Sequence, residues 1–325
     1  MRPIAVALAA SLCLAAPAAN AQEVIRAVTS LPAPLEFTKG FLRFVDRVNA
    51  AGEGVVRIDV VGGPEVIPPT QQQTAIRRGV IDMQYGPSSY YLGEVPEANA
   101  WAGSTISAME GREKGGFAIM EEVYADRLNA KLLAQVDGGV TFHIYLTKAP
   151  AMTDDGAVDL AGLRLRSVPI YREFFAAQGA TPVSIPVPEV YTALERGAVD
   201  GAGWPLPGIQ DLSWDRFLTH RIDPPFFQTD ITVMMNLDRW NSLSQAAKDI
   251  IAAEAKAYEK ISYDDFQRII AETDKAVREA GMTIITMEGA AAEAYLDSAF
   301  NTPWEKLAES DSPHTEALRA IYYTR

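Results

Sequence analysis

The sequence predicts an α/β protein of two lobes with a ligand cleft between them. Three observations carry that prediction. Strand and helix patterns alternate along most of the chain, one short block recurs in related form, and a long helical run follows both copies.

The N-terminus reads as a secretion signal. Arg2 supplies the positive start, Ile4 to Ala16 form a short apolar run, and Ala19-Asn20-Ala21 is a small-x-small cleavage site. The apolar run is too short to span a membrane. Residues 1–21 are therefore expected to be removed, leaving Gln22 at the start of a periplasmic chain. Cys13, the only cysteine, lies inside this leader, so neither a disulfide nor thiol chemistry is expected afterwards. Leu12 is too large for the small residue expected before a lipidated cysteine. Removing 21 residues from 325 leaves 304, which suits two domains of ordinary size.

The hydrophobic fraction of 48% is that of a globular protein. The formal charge of −13 becomes −14 without Arg2 and argues against nucleic acid or anionic membranes as partners. An anionic ligand would need a local positive trap. No later window holds about 18 uncharged apolar residues, so membrane insertion is not expected.

The elements follow in order. Val24 to Val28 reads as a strand. Phe37 to Ala50 reads as a helix, with Phe41, Phe44, Val45 and Val48 on one stripe and Gly52 just beyond. Val55 to Val61 alternates as a strand and ends at Gly62-Gly63-Pro64. Gln71 to Arg78 is helical and stops at Gly79, and Val80 to Tyr85 reads as a strand. This βαβαβ order implies a largely parallel sheet.

Residues 75–82, AIRRGVID, are echoed at 193–200, ALERGAVD. Each reads as a helix end, a glycine C-cap and a short buried strand closed by aspartate. Gly86-Pro87 breaks the first strand and Trp204-Pro205 the second. Ligands of open α/β sheets sit beyond the carboxyl ends of strands, so both strand ends could face one cleft. The second copy belongs to a compact strand–helix–strand–helix–strand run from Gly162 to Leu206. Ser244 to Ala280 contains no proline or glycine, with Ser244 as N-cap and Gly281 as stop. It is either kinked near Ser262 or a strut of roughly 50 Å across both lobes.

Catalytic motifs are missing. His143, His220 and His314 lack metal-ligand spacing, and there is no nucleophile elbow, P-loop or dinucleotide fingerprint. No enzyme, metal or cofactor is expected. Arg164 and Arg166 share one strand face, opposite Leu163 and Leu165. Arg166 is nearer the strand's carboxyl end, where a guanidinium could hold a carboxylate through two parallel hydrogen bonds. A surface arginine paired with a helix carboxylate is the competing reading.

Gly162-Leu163-Arg164-Leu165-Arg166, followed by Glu189-Val190-Tyr191-Thr192-Ala193-Leu194 and Gly197-Ala198-Val199-Asp200-Gly201, resembles the wall segment of TRAP-transporter solute-binding subunits of the DctP type. The resemblance extends through Gly79 to Asp82 and Met234 to Ala257. It implies two lobes closing over an organic carboxylate, a lobe-spanning helix, and a ligand clamp at Arg166. It also implies delivery to small and large membrane subunits that run on an ion gradient. The lobes would comprise residues 22–139 plus about 230–270, and 140–229 plus about 271–325.

Departures from the family pattern narrow the ligand. Phe142 stands where dicarboxylate and sialic acid binders often carry a second arginine. Trp204 replaces a frequent asparagine, Gly203 a glutamate of metal-bridged sites, and Pro87 a glutamate of sialic acid binders. These changes point to a monocarboxylate, either with an aromatic body or a keto or hydroxy acid. The candidate ligand-binding residues are Arg166, Trp204, Phe142, Ser88, Ser89, Tyr90, Thr29 and Val187. Tyr191 reads as core. The alternatives are a C4-dicarboxylate binder and a ligand sensor that docks a membrane sensor kinase.

Overall fold

The computed structural model describes residues 22–324; the leader reading falls on residues outside them. Two sheets organise the chain. In the first, strand Glu23–Thr29 pairs in parallel with Val56–Gly62 and Met83–Pro87. Ile231–Asn236 then joins Met83–Pro87 antiparallel and carries Ala130–Gln135 on its other edge. The second sheet runs in the order Thr283–Thr286, His220–Gln228, Thr141–Leu146, Gly201–Pro205, Arg164–Ser167 and Thr181–Ser184.

Amphipathic helices cover these sheets. Helix Glu36–Ala51 buries Phe37, Phe41, Phe44, Val45 and Val48, the stripe expected from its spacing. The strand expected from Val80 begins only at Met83. Val80 is 59% exposed and precedes the sheet, and Asp82 leads into the strand instead of closing it. Asp200 likewise precedes Gly201–Pro205.

The repeated block is nonetheless a structural repeat. Gly79 and Gly197 both take positive φ, 67° and 63°. Asp82 accepts from the backbone N–H and Nε of Arg26 at 2.8 and 3.2 Å. Asp200 does the same for Arg164 at 2.9 and 3.0 Å. In each sheet an aspartate thus clamps the arginine of the neighbouring parallel strand.

The chain passes between the sheets at 136–140, at Thr229-Asp230, and along helix Gln245–Glu279. This third passage settles the alternatives for the long run: it is one unbroken helix of 35 residues. Ser244 caps it by accepting from the N–H of Ala247 at 3.2 Å. Phe266 stacks on Phe37 in the first lobe, while Asp274 accepts from Arg221 of the second sheet at 2.7 Å. The strut therefore contacts both lobes.

All three passages are tied together. The Thr229 hydroxyl donates to the carbonyl of Asp137 at 2.7 Å, and the Asp137 N–H donates to Ser262 Oγ of the strut at 2.9 Å. Asp137 is itself buried, with its carboxyl receiving the Tyr85 hydroxyl; burial pushes its pKa up to about 7. The last helix, Thr315–Tyr322, seats Tyr322 in the hollow beside Gly111 and Gly116 and accepts from the indole N–H of Trp101 at 3.2 Å.

Candidate functional site

Strand Arg164–Ser167 sends its two arginines to different ends. Arg164 is exposed and held by Asp200, whose pKa the guanidinium's hydrogen bond lowers. Arg166 is completely buried. Its Nε donates to the carbonyl of Ile185 at 3.0 Å, and Nη1 donates to the Tyr171 hydroxyl at 2.7 Å and the Gly203 carbonyl at 3.3 Å. Nη2 has no hydrogen-bond partner among the described residues, and no ion pair there involves Arg166.

A buried arginine normally needs a carboxylate, because desolvating an unpaired charge costs several kcal/mol. Here its direct hydrogen-bond partners are neutral oxygens, and ring faces flank it. Its guanidinium carbon lies 5.6 Å from the Trp204 ring and 5.8 Å from that of Trp214.

Arg166 forms part of the wall of a cavity of about 40 Å³ between the lobes. That is room for about three waters. The second lobe contributes Phe142, Val168, Tyr171, Trp204 and Pro205; the first contributes Leu31, Phe37, Pro87, Ser89 and Tyr90, with Thr229, Asp230 and Ile231 at the crossing. The wall is mostly apolar, so each polar group in it carries weight.

Gly203 explains how Tyr171 reaches Arg166. A Cβ there would lie 2.7 Å from Phe175 Cζ and 2.9 Å from Tyr171 Cε2. Tyr171 packs into that space and donates to the Gly203 carbonyl at 3.0 Å. Phe142 packs on Tyr171 and Phe226 at ring distances of 5.6 and 6.0 Å, so it belongs to a larger aromatic cluster and also to the cavity wall. Among the described residues no group of three His, Cys, Asp or Glu side chains is placed to hold a metal.

The structure brings five of the expected residues together at this cavity: Arg166, Trp204, Phe142, Ser89 and Tyr90. Ser88 lies next door, fully buried, and its hydroxyl donates to the Asp230 carbonyl at 2.8 Å. Thr29 stands apart at the end of strand Glu23–Thr29, where its hydroxyl accepts from the Leu31 N–H at 3.1 Å. Val187 lines an outer mouth with Pro68, Pro69, Pro169 and Pro186, and only Tyr90 and Val168 are shared between that mouth and the inner cavity. Tyr191 is partly buried and packs edge-on against Phe217 at 5.1 Å.

Sequence reasoning passed over Tyr171 and Asp230. Tyr171 lies on helix Pro169–Ala177 among residues that read as core. Asp230 sits in a passage of two residues between strands, where no motif marks it.

Two sheets, two short crossings and a strut around an interlobe cavity form the two-lobed architecture of a solute-binding protein. Residues 30–311 match the model for bacterial extracellular solute-binding protein family 7, DctP, and the chain belongs to that family. It is similar to a monocarboxylate 2-oxoacid-binding periplasmic protein from Nostoc sp., 25% identical over 235 residues. That alignment covers 69% of this chain and 63% of the relative. It is also similar to the 2,3-diketo-L-gulonate-binding periplasmic protein of Escherichia coli, 27% identical over 235 residues, covering 66% of each.

Among solved structures, a TRAP transporter solute-binding protein from Bordetella bronchiseptica, with calcium and picolinate in its site, aligns with a TM-score of 0.80 at 21% identity. The alignment covers 93% of this chain and 91% of that one. A marine metagenome TRAP protein in complex with 3-hydroxybenzoate aligns with a TM-score of 0.77 at 20% identity, over 94% of this chain and all of that one (100%). At these identities the structures share the fold.

Proposed function

We propose that this chain is exported by its leader and captures a compact organic monocarboxylate between its lobes. It then delivers the acid to the small and large membrane subunits of a TRAP transporter. The observation that carries the ligand class is Arg166: a fully buried guanidinium with a spare Nη2, facing an apolar cavity without a carboxylate partner. A ligand carboxylate would supply the missing counter-charge, and each charge-assisted bond would contribute about 1.5–3 kcal/mol.

One unpaired cation favours one carboxylate. The other buried arginine, Arg221, is already held by Asp223 and Asp274. A second carboxylate in the cavity would meet aromatic rings and Asp230 instead of a cation. The family relationship and the substrates of the periplasmic relatives support an acid ligand and a transport role.

A thermal-shift screen of monocarboxylates against succinate and malate tests this reading. Stabilisation by monocarboxylates, lost on Arg166→Met, is expected. Preference for succinate or malate over every monocarboxylate would contradict it.

A further inference from the structure

Among the described residues the buried charges are paired, with two exceptions besides Arg166. Asp82 holds Arg26, Glu97 holds Arg127 and Glu259 holds Arg112. Asp137 and Asp230 are buried acids for which no ion pair occurs among the described residues. Asp137 receives the Tyr85 hydroxyl and lies in the hinge. Asp230 is different, because it lines the same cavity as Arg166.

Backbone N–H groups and a serine hydroxyl, not a cation, are its donors. The Ser89 N–H donates to Asp230 Oδ2 at 2.5 Å, and the Ser88 hydroxyl is drawn to the Asp230 backbone carbonyl. Burial holds its pKa up at about 7. Arg166 offers no relief, since the two do not form an ion pair. Instead the hydroxyls of Tyr90 and Tyr171 feel the opposed fields of Arg166 and Asp230. One apolar cavity therefore carries two separated poles, a cation without a counter-anion and an acid without a counter-cation among the described residues.

We propose that Asp230 is a specificity-determining residue, and that the ligand is a compact monocarboxylic acid whose body bears a hydrogen-bond donor, a hydroxyl or N–H, received by the Asp230 carboxylate. This rests on Arg166 as the carboxylate anchor. A ligand with both groups satisfies both poles. An acid with no donor leaves Asp230 buried beside it, and a dicarboxylate sets a second anion against it. Above about pH 7, where Asp230 is ionised, hydroxy acids are thereby favoured over their oxo counterparts, which carry an acceptor at the same place; the titrations are therefore run on the alkaline side of that value.

The test is calorimetric titration of the full mature chain with matched acids: lactate against propionate and pyruvate, 3-hydroxybutyrate against butyrate, and 3-hydroxybenzoate against benzoate. The donor-bearing member of at least one set is expected to bind about tenfold tighter or more, the scale of one hydrogen bond to a charged group. Asp230→Asn keeps an oxygen for the Ser89 N–H and should shrink that ratio to within about threefold. Equal binding within every set, or an unchanged ratio in D230N, overturns the role of Asp230 while leaving Arg166 as anchor. Loss of every acid on Arg166→Met with the D230N ratio collapsed supports both assignments. No binding by any member overturns both.

Discussion

Replacing Arg166 with methionine separates its ligand role from any role in folding. The guanidinium donates to Ile185 O, Tyr171 Oη and Gly203 O, yet its charge is buried without a carboxylate partner. Methionine keeps much of the stem and removes the charge. Ile185 loses a donor, at about 1–3 kcal/mol, whereas Gly203 keeps the Tyr171 hydroxyl. Relief of the buried charge offsets much of that loss, since apolar replacement of buried ionic groups is often neutral or stabilising. A melting temperature within about 5 °C of the wild type is expected.

Binding should respond very differently. Two charge-assisted bonds of about 1.5–3 kcal/mol each amount to about 3–6 kcal/mol, or about 10²- to 10⁴-fold in affinity. Titration calorimetry with the tightest acid and a thermal melt of the same sample measure both quantities. Acid affinity retained within about fivefold would refute the clamp. A collapse of the ligand-free fold would show that Arg166 is chiefly structural.

Four further outcomes are expected. Arg164→Ala should leave the urea midpoint nearly unchanged and acid binding intact, because its Asp200 pair is exposed and screened by solvent. Gly203→Ala should cost about 1–3 kcal/mol and weaken acid binding, since the added Cβ pushes on Phe175 and Tyr171. Tyr90→Ala should join the inner cavity to the outer mouth and admit bulkier acids, read as new stabilisation by longer ligands in a thermal-shift screen. Burial raises the Asp137 pKa to about 7, above the ordinary aspartate value of 3.8, so the folded state holds its proton more tightly. Its contribution is full below about pH 4 and is lost as pH rises through about 7, by up to about 1.4 kcal/mol per pH unit. Asp137→Asn should flatten that part of the stability–pH curve.

Much of this architecture was legible because it is local. Spacing marked the Phe41–Val48 stripe, and the glycine stops at Gly79 and Gly197 placed both copies of the repeat. Strand edges were harder: Val80 has a β-forming side chain but lies in the turn before the sheet. Ser244 and Gly281 bounded the long helix, but only its contacts at Phe266 and Asp274 distinguish a strut from a kinked pair. At the site, Arg166 was visible as a strand-end cation. What makes it a candidate anchor, a free Nη2 and no carboxylate partner among the described residues, appears only in three dimensions, where Asp200 holds Arg164. Asp230 and Tyr171 were hidden because strand pairing across the crossing, not sequence spacing, brings them to one cavity.

The most direct measurement is a crystal structure of the mature protein with the tightest-binding monocarboxylate. The predicted result is a ligand in the interlobe cavity, with a carboxylate oxygen within about 3 Å of Arg166 Nη2. A ligand whose carboxylate points away from Arg166, or that lies outside this cavity, would contradict the account.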